Sequence, residues 1–408
     1  MPGPLVTVVT PSYNQGQFIR ATIESVLSQD YPHVEYIIMD GGSTDETASV
    51  VRDYASRVTF ISEKDRGQSH AINKGFRLAR GSMLSWLNSD DVFLPGAVKA
   101  AVQGFARNPA AGAVYGEGYQ IDREGKVISR FQYTEPLNLW KLVYLSDYIL
   151  QQTVYFRKDV LDDVGYLDED LHFTMDWDIL IRIGMKYPLE YIPEYMGCLR
   201  EYAEAKTFSG GERRIREMHG MLQRHTGMRL PPGIIIYGLE TYHKIWCARI
   251  EGALASRLKP VSKAAQFLIR LGAGLIIGCI VRRSQGLYPD RWAGHVLRYM
   301  LPPGNGRLVI EGSVPDGIKR FRRQRLRIQA NGRPLGTFSV PVGDFALKVA
   351  IPPALQGQLL RLRITASRWV VTGTLSLGDA WRRVAFRFKS IRWDEPAEGL
   401  IGQAMATR

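Results

Sequence analysis

The chain has 408 residues, which is too long for one ordinary domain and leads us to expect two or three. Hydrophobic residues make up 45% and charged residues 23%, and this balance excludes a mainly disordered chain and a polytopic membrane protein. The net charge of +13 lies in the last third, because residues 281–408 hold 22 basic and 8 acidic residues. A nucleic acid or a lipid surface attracted by this charge would therefore meet the last third.

Strand and helix patterns alternate over the first 110 residues. The runs that predict strands are Leu5–Thr10, Tyr36–Met39, Val58–Ile61 and Met83–Leu87. The spacings that predict helices are Gln17–Ser28, Thr44–Tyr54, Ser69–Ala79 and Pro95–Phe105. Such alternation predicts an α/β domain with an open, mostly parallel sheet covered on both faces, whose ligand site lies beyond the carboxyl ends of the strands.

The middle of the chain predicts fewer elements. We expect strands at Val114–Gly118 and Lys126–Phe131, and helices at Asp176–Met185 and Arg213–Thr226. The breaker Pro231-Pro232-Gly233 marks a boundary, after which the pattern is mostly helical as far as Val281. Within that linker, residues 264–283 fit either a buried helix or one lying in a membrane interface.

The last third changes to a period of two. Leu326-Arg-Ile, Leu362-Arg-Ile and Phe386-Arg-Phe alternate apolar with basic residues, which predicts an antiparallel β-sandwich with its arginines facing outward. Leu287–Gly294 is expected to form its first strand, and the tryptophans at 369, 381 and 393 are candidates for exposed glycan contacts. The predicted division is a first domain at 1–230, a helical linker at 231–285 and a basic β-sandwich at 286–408.

Acidic residues collect where the predicted strands of the first domain end. The strand-end segments are Thr10-Pro11-Ser12-Tyr13-Asn14, Asp40-Gly41-Gly42-Ser43-Thr44-Asp45, Glu63-Lys64-Asp65-Arg66-Gly67 and Asn88-Ser89-Asp90-Asp91. One acid after a strand can simply cap the next helix, as we expect of Ser43 and Thr44. Acids at several ends of one sheet instead favour a site for a divalent cation, which can also bind phosphate groups.

The ordered motifs resemble those of glycosyltransferase family 2. The resemblance rests on Val8–Asn14, Ile38–Asp45 and Asn88–Asp91, and extends to Asp176-Trp177-Asp178 at the start of a predicted helix. It covers about residues 5–225 and implies the GT-A fold and inverting transfer from a nucleoside diphosphate sugar. In the position before Asp176, where the family usually has an acid, this chain has Met175, so Asp176 and Asp178 remain alternatives for the working carboxylate.

The resemblance also implies a role for each matching residue. Thr10, Tyr13 and Asp40 would hold the nucleotide base, and Asp90 would bind the ribose or assist the metal. Asp91 would ligate Mn²⁺ or Mg²⁺ on the diphosphate, and Asp176 would be the general base that deprotonates the acceptor hydroxyl.

Other residues have two interpretations each. Asp65 is either a nucleotide-pocket residue or a solvated loop acid, and Trp177 either stacks on the acceptor sugar or packs in the core. Arg200 and Lys206 are candidates for diphosphate contact, although the local sequence Arg200-Glu201-Tyr202 departs from the basic loop usual in the family.

The expected partners are a nucleotide-sugar donor, of the UDP type, and a glycan or lipid-linked oligosaccharide acceptor in bacterial surface polysaccharide synthesis. No nucleic-acid motif accompanies the basic charge, so an anionic inner-membrane surface is the expected partner of the last third, beside a plain solvated face. Three scattered cysteines and an N-terminus without a signal-like pattern lead us to expect a cytoplasmic protein, peripheral on the membrane.

Competing chemistries lack their motifs. The chain has no G-x-x-x-x-G-K-[ST] loop, no G-x-S-x-G elbow, and no G-x-G-x-x-G after its first strand. The alternative from a different class is a glycan-binding or scaffold protein on a degenerate transferase fold. The presence of Asp40, Asp90, Asp91 and Asp176 together favours the enzyme.

Overall fold

The computed structural model describes residues 3–202, 204–206, 210–239, 241, 285–287, 292–315, 324–372 and 382–394. The chain forms two compact units, one from Met1–Leu137 and Asp147–Met221, the other from Asn138–Ser146 and Leu222–Arg408. The second unit thus includes a short segment that interrupts the sequence of the first. The predicted linker remains a prediction, because residues 242–284 lie outside the described residues.

The first unit is built on a nine-stranded mixed sheet. Its strands are β1 (Val6–Ser12), β2 (Val34–Asp40), β3 (Thr59–Ser62), β4 (Met83–Trp86), β5 (Val92–Phe93), β6 (Ala113–Ile121), β7 (Val127–Arg130), β8 (Tyr155–Arg157) and β9 (Leu189–Arg200). Their order is β3-β2-β1-β4-β8-β6-β9-β5, with β7 paired to β6. β1 to β4 pair in parallel as predicted, whereas β8 runs antiparallel to both β4 and β6. The carboxyl ends of β1, β2, β3 and β4 therefore share one edge.

The helices of this unit are α1 (Gly16–Leu27), α2 (Thr47–Arg52), α3 (Gln68–Leu78), α4 (Ala97–Arg107), α6 (Lys158–Val164), α7 (Met175–Lys186) and the first part of α8 (Gly211–Thr226). The short helix α5 (Leu139–Tyr144) belongs to the second unit. The predicted caps Ser43 and Thr44 are wrong, because α2 begins at Thr47 after Glu46 and has no side-chain cap. α5, α6, β8 and β9 were not predicted, since their sequences are short or lack a clear period.

The second unit contains two four-stranded antiparallel sheets. Their strands are β10 (Trp292–Ala293), β11 (Val296–Leu301), β12 (Arg307–Val314), β13 (Gln324–Ala330), β14 (Arg333–Val340), β15 (Gly343–Ala350), β16 (Leu360–Ala366) and β19 (Phe386–Trp393), while β17 (Val370–Thr372) and β18 (Arg382–Val384) form a separate pair. One sheet has the order β10-β19-β12-β15 and the other β11-β16-β13-β14. Both contribute to one apolar core, which confirms the predicted β-sandwich.

The period of two is confirmed by burial, since Leu326, Ile328, Leu362 and Ile364 are at most 2% exposed while the arginines between them are exposed. The tryptophans fit the prediction less well. Trp369 and Trp393 are half-buried against the core of the sandwich, and Trp381 lies outside the described residues. Packing thus accounts for the two described tryptophans.

The predicted first strand at Leu287–Gly294 is only partly described, as β10 and an isolated bridge from Leu287 to Ala293. Among the residues described, no helix is both long and apolar enough to cross a bilayer. Residues 264–283, the predicted membrane contact, lie outside them.

Candidate active site

Two loops meet where β1 and β2 end. The amide of Gly41 donates to the carbonyl of Ser12 over 2.8 Å. Asn14 has a left-handed backbone (φ 53°) and accepts a hydrogen bond from the amide of Thr44 at 2.9 Å through its Oδ1. Asn tolerates this conformation better than most residues, which suits it to the turn. The bonds hold the two loops together at the carboxyl edge of the sheet.

Asp40 organises the loop that follows β2. Its carboxylate is 1% exposed and accepts bonds from the amides of Gly42 and Ser43 and the hydroxyls of Ser43 and Ser62. Because the chain's own donors already satisfy this carboxylate, a base N–H would have to replace one of them. The predicted contact with the base stays a prediction.

Tyr13, Gly41 and Asp65 lie close together next to Asp40. Tyr13 is 62% exposed. A Cβ on Gly41 would lie 2.8 Å from Oδ2 of Asp65 and 3.3 Å from Cδ2 of Tyr13, so only glycine leaves the gap between them free. Thr10 is fully buried, and its hydroxyl is 3.0 Å from that of Tyr36. Its predicted contact with the base stays a prediction.

The carboxylate of Asp91, the predicted metal ligand, accepts hydrogen bonds from three other residues of the protein. It is 1% exposed; its Oδ1 accepts a bond from the amide of Arg200 at 2.8 Å. Its Oδ2 accepts bonds from Nε2 of Gln152 at 2.6 Å and Nδ2 of Asn88 at 2.9 Å. Burial, with the neighbouring charge of Asp90, raises the pKa of Asp91 to about 7. These three donors bond to both oxygens of Asp91, and its predicted role as metal ligand stays a prediction.

Asp90 is the more accessible of the two adjacent acids. Its side chain is half-buried, and Oδ2 accepts a bond from the hydroxyl of Tyr202 at 2.7 Å. Burial raises the pKa of this carboxyl above its ordinary value. A cation beside Asp90 would offset that desolvation, so the residue fits a metal ligand better than Asp91 does.

A hydrogen-bonded chain joins Lys206 to the end of β4. Nζ of Lys206 donates to Oε1 of Gln68 at 2.6 Å, and Nε2 of Gln68 donates to Oδ1 of Asn88 at 2.6 Å. Burial lowers the pKa of Lys206 to about 8, while the negative charge of Asp176 acts in the opposite direction. Lys206 therefore lies within electrostatic reach of Asp176 and is linked through Gln68 to the loop that carries Asp90.

Asp176 lies at the start of α7. It is half-buried, and its Oδ1 accepts a bond from the amide of Trp177 at 2.8 Å. Burial raises the pKa of Asp176, and the positive charges of Lys206 and Arg214 oppose this shift. A carboxylate whose pKa is raised is a stronger base, which suits removal of a proton from a hydroxyl.

Two residues close to Asp176 in the sequence, Trp177 and Asp178, are buried in the protein. Asp178 is 4% exposed and forms an ion pair of 2.7 Å with Arg182 one turn later. Trp177 is 2% exposed, so its ring is not available to an acceptor sugar. The geometry favours Asp176 over Asp178 as the working carboxylate and speaks against stacking by Trp177.

The side chain of Arg200 is buried and hydrogen-bonded to backbone carbonyl groups. It is 5% exposed, and its Nε donates to the carbonyl of Asp90 at 2.7 Å. Its Nη1 donates to the carbonyls of Asp122 and Arg123 at 3.0 and 2.8 Å. These bonds join β9 to two loops and speak against the predicted diphosphate contact of Arg200.

A third half-buried acid, Asp147, accompanies Asp176. Its Oδ1 accepts a bond from the amide of Ile149 at 3.0 Å. Burial and the charge of Asp176 raise the pKa of Asp147 to about 8, so this carboxyl is largely protonated at neutral pH. Two neighbouring carboxylates of which one keeps its proton avoid like-charge repulsion.

The donor set fits a divalent cation held jointly by protein and substrate. Among the described residues no group of three or more His, Cys, Asp or Glu side chains is arranged to hold a metal. Mg²⁺ in phosphate chemistry commonly takes one or two carboxylates from the protein and its other ligands from phosphates and water. Asp90 can supply that carboxylate.

Sequence reasoning missed residues that act through distant contacts. These are Gln68, Asp147, Gln152, Tyr202 and Glu217. The pair Gln151-Gln152, polar within an apolar stretch, was the available signal, because a buried amide must find partners. Nothing local distinguishes Glu217 from other acids on an exposed helix.

Comparison with known proteins finds a matching family and several relatives. Residues 7–164 match the family described as Glycosyl transferase family 2. The chain is 33% identical over 193 residues to chondroitin synthase of Escherichia coli, covering 46% of this chain and 28% of that protein. It is 28% identical over 199 residues to poly-beta-1,6-N-acetyl-D-glucosamine synthase of Staphylococcus epidermidis, covering 46% of this chain and 48% of the relative. The chain thus spans less than half the length of either relative.

Solved structures also resemble the chain. TarS of S. aureus in complex with UDP-GlcNAc has a TM-score of 0.45 and 16% identity, covering 69% of this chain and 82% of that one. Mannosyltransferase PcManGT from Pyrobaculum calidifontis, in complex with GDP-Man and Mn²⁺, has a TM-score of 0.43 and 18% identity, covering 70% and 77%. The family match confirms the resemblance deduced from the strand-end motifs.

Proposed function

Because residues 7–164 are a glycosyltransferase family 2 domain, we propose that the protein is an inverting, metal-dependent glycosyltransferase. It moves a hexosyl group from a nucleoside diphosphate sugar, of the UDP type, to a hydroxyl of a glycan or lipid-linked acceptor in surface polysaccharide synthesis. Relatives named as polysaccharide synthases, and a neighbour holding UDP-GlcNAc, support this proposal.

The observation that carries the proposal is the position of Lys206. Its amine bonds to Gln68, which in turn bonds to Asn88 beside Asp90, and it lies within electrostatic reach of Asp176. Lys206 is thus linked both to the candidate base, Asp176, and to the loop of the candidate metal ligand, Asp90. Transfer between a diphosphate and an acceptor hydroxyl requires such a pair of carboxylates with different roles.

In this mechanism Asp176 accepts the proton of the acceptor hydroxyl as its oxygen attacks the anomeric carbon. Attack from the face opposite the diphosphate inverts that carbon, and no covalent nucleophile is needed. A divalent cation bound by Asp90 and the diphosphate would neutralise the charge of the leaving group. Lys206 would contact the same charge, in its proposed diphosphate role.

The nucleotide would lie in the space between Tyr13 and Asp65. The exposed ring of Tyr13 can stack on a base, and Gly41 leaves room for it. Asp40 would accept an N–H of the base after giving up one of its loop bonds. Thr10 would then act only by supporting Tyr36 in the interior.

Thermal shift with UDP-GlcNAc, GDP-mannose and a dTDP-sugar, each with and without Mn²⁺, tests donor binding. A ligand that binds only the native state raises the melting temperature, so one nucleotide class should stabilise the protein, and more so with Mn²⁺. If no nucleotide sugar changes the melting temperature with or without Mn²⁺, the result favours the alternative, a non-catalytic glycan-binding or scaffold protein.

Asp176→Asn tests the chemistry. Turnover of the donor identified by thermal shift should fall by about 10²–10⁴-fold, because the general base is removed. Asp170→Asn is the matched control, since Asp170 is an exposed acid a few residues earlier. Donor binding should stay within about threefold of the wild type in both variants. Turnover by Asp176→Asn equal to that of the control would refute the mechanism.

For the basic charge we propose contact with an anionic membrane surface through the arginine face, defined as Arg325, Arg327, Arg361 and Arg363. These exposed residues alternate on the adjacent strands β13 and β16. None of them forms an ion pair within the described part of the chain, and the four strands of this sheet contain no Asp or Glu.

The other sheet of the sandwich differs. Three of the five basic residues on its strands are paired with acids, in Lys389–Asp344 (2.5 Å), Lys348–Asp394 (2.9 Å) and Arg392–Glu311 (3.1 Å). Its net attraction to an anionic surface is therefore weaker than that of the arginine face. Each arginine of the arginine face contributes about 1 kcal/mol near an anionic leaflet.

Vesicle sedimentation tests the arginine face. Replacing its four arginines by serine should reduce binding to phosphatidylglycerol vesicles at low salt by at least about tenfold. The control replaces Lys348, Lys389 and Arg392 on the paired sheet, which should have a smaller effect. Equal losses in both variants, or no binding by the wild type, would contradict the proposal.

A further inference from the structure

Glu217 on α8 is hydrogen-bonded to the turn that leads into α7. Its Oε1 accepts bonds from the amides of Phe173 (2.6 Å) and Thr174 (2.9 Å) and from the hydroxyl of Thr174 (2.9 Å). Its Oε2 accepts a bond from the amide of His172 at 2.9 Å. One carboxylate from 43 to 45 residues away thus binds three consecutive amides.

These amides lie immediately before the first turn of α7, which the helix does not cap by itself. Thr174 is the N-cap residue, and its side chain makes no bond to the helix amides. Its hydroxyl donates to Glu217 instead. The turn's amides would otherwise lack partners, and a carboxylate there also favours the positive end of the helix dipole. Glu217 therefore fixes, from another helix, the turn that leads into α7.

Phe173 gives the same turn a second anchor. Its ring lies 5.9 Å from Nζ of Lys206 and 5.9 Å from Cζ of Arg213, within range of cation–π attraction. A Cβ on Gly210 would lie 2.7 Å from the ring, so the ring packs directly on the backbone before α8. The start of α8 and the turn at 172–174 are thus joined by both polar and aromatic contacts.

We infer that Glu217 is a positioning residue for the general base, acting by fixing the turn from which Asp176 projects. Asp176 is two residues beyond Thr174, so freedom in this turn would become freedom of its carboxylate relative to the acceptor. Misplacement by about 1 Å can cost on the order of 10²-fold in rate. The inference rests on the proposed role of Asp176 and adds a residue on a different helix.

Three variants separate position from charge. Glu217→Ala removes all four bonds and should lower turnover by roughly 10–100-fold, while Mn²⁺-dependent binding of UDP stays within about twofold. Glu217→Gln keeps an oxygen that can accept the three bonds made by Oε1, and should retain turnover within about fivefold. Glu212→Gln removes an exposed acid from the first turn of the same helix and should leave turnover unchanged.

Hydrogen exchange gives a readout that needs no substrate. The amides of His172, Phe173 and Thr174 should exchange at least about tenfold faster in Glu217→Ala than in the wild type, and remain protected in Glu212→Gln. The acid limb of the pH–rate profile should keep its midpoint in Glu217→Gln. If Glu217→Ala fails to fold, the pair Glu217→Gln and Glu217→Asp gives the same comparison with smaller changes.

Several outcomes would overturn the inference. One is turnover by Glu217→Ala within about twofold of the wild type. Another is a loss in Glu217→Gln as large as in Glu217→Ala together with a shifted acid limb, which would show an effect of charge. A third is UDP affinity falling in parallel with turnover. Full turnover by Asp176→Asn would instead refute the proposed function, and the exchange result for Glu217 would stand independently.

Discussion

Asp90 and Asp91 are adjacent acids with different surroundings, and the same substitution should affect them differently. Asp91→Asn places an amide NH₂ among donors from Arg200, Gln152 and Asn88, and should cost about 1–3 kcal/mol of stability by leaving one of them unpaired. Asp90→Asn should instead abolish the Mn²⁺-dependent part of donor affinity with little loss of stability. Urea unfolding and calorimetric titration with UDP distinguish them. If Asp91→Asn is as stable as the wild type but its donor affinity no longer depends on Mn²⁺, Asp91 rather than Asp90 ligates the metal.

Asp147 predicts a pH dependence of stability. Its pKa in the folded protein is about 8, against 3.8 for the ordinary carboxyl. The native state therefore binds more protons than the unfolded state between these values, and the contribution present below about pH 4 is lost as the pH rises to about 8. Asp147→Asn stays neutral, so its stability advantage over the wild type should grow as the pH rises from about 4.5 to 8.

Urea unfolding at a series of pH values measures this advantage, with Asp170→Asn as the control that should show no such growth. Since Asp147 is already largely protonated at neutral pH, the Asn variant should also retain turnover within about threefold. A constant stability difference across the pH range would show that the carboxyl ionises normally in the folded protein.

At the scale of elements, α3 packs on the sheet through a glycine. A Cβ on Gly75 would lie 2.4 Å from Cγ1 of Val9 on β1 and 3.2 Å from Cγ of Met39 on β2. Gly75→Ala should therefore destabilise the protein by about 1–3 kcal/mol through overpacking. Gly220 on α8 has nothing within 4 Å of the same position, so Gly220→Ala should stabilise it by about 0.5–1 kcal/mol. Denaturant midpoints that move in the same direction for both would contradict this account of the packing.

The elements predicted correctly are those with a strong local pattern. β1, β2 and α1 follow from buried runs or apolar spacing, and the sandwich strands from arginines alternating with leucine or isoleucine. β9 was missed because its twelve residues, which include Pro193, do not alternate. The short β8 is specified by its two antiparallel neighbours, which no local window contains.

The candidate site could likewise be predicted only in part from the sequence. Acids at strand ends could be predicted because sheet geometry brings such ends together. The environment of each acid could not, since Asp91 depends on Gln152 and Arg200, which are 61 and 109 residues away. Burial of Trp177 and Arg200 likewise depends on packing partners that cannot be identified from the local sequence.

At the scale of the whole molecule, the segment Asn138–Ser146 belongs to the second unit although residues of the first unit precede and follow it. Leu139, Leu142 and Val143 of α5 are buried, and α5 packs against β11. The amides of Asn138 and Gln285 exchange two hydrogen bonds, of 2.7 and 3.1 Å. The second unit is therefore assembled from two distant parts of the chain.

This arrangement predicts the behaviour of a nicked protein. After cleavage at a protease site inserted near residue 260, the two fragments should elute together in gel filtration, because α5 remains bound within the second unit. Leu142→Asp, which buries a charge in that contact, should let the fragments separate, at a cost of several kcal/mol. Separation of the fragments without this substitution would show that α5 contributes little to the unit.

The unequal charge of the two sandwich sheets has a consequence for how the protein would approach an anionic bilayer. Among the residues that the structure describes, the four arginines of one face form no ion pair, whereas three basic residues of the other sheet are paired with acids. This asymmetry gives the described part of the sandwich an electric dipole across its thickness. In the field of a negative surface this dipole would turn the molecule before contact, over distances of about one Debye length. Collisions would then begin in a productive orientation, and added salt would slow capture by removing this alignment as well as by weakening attraction.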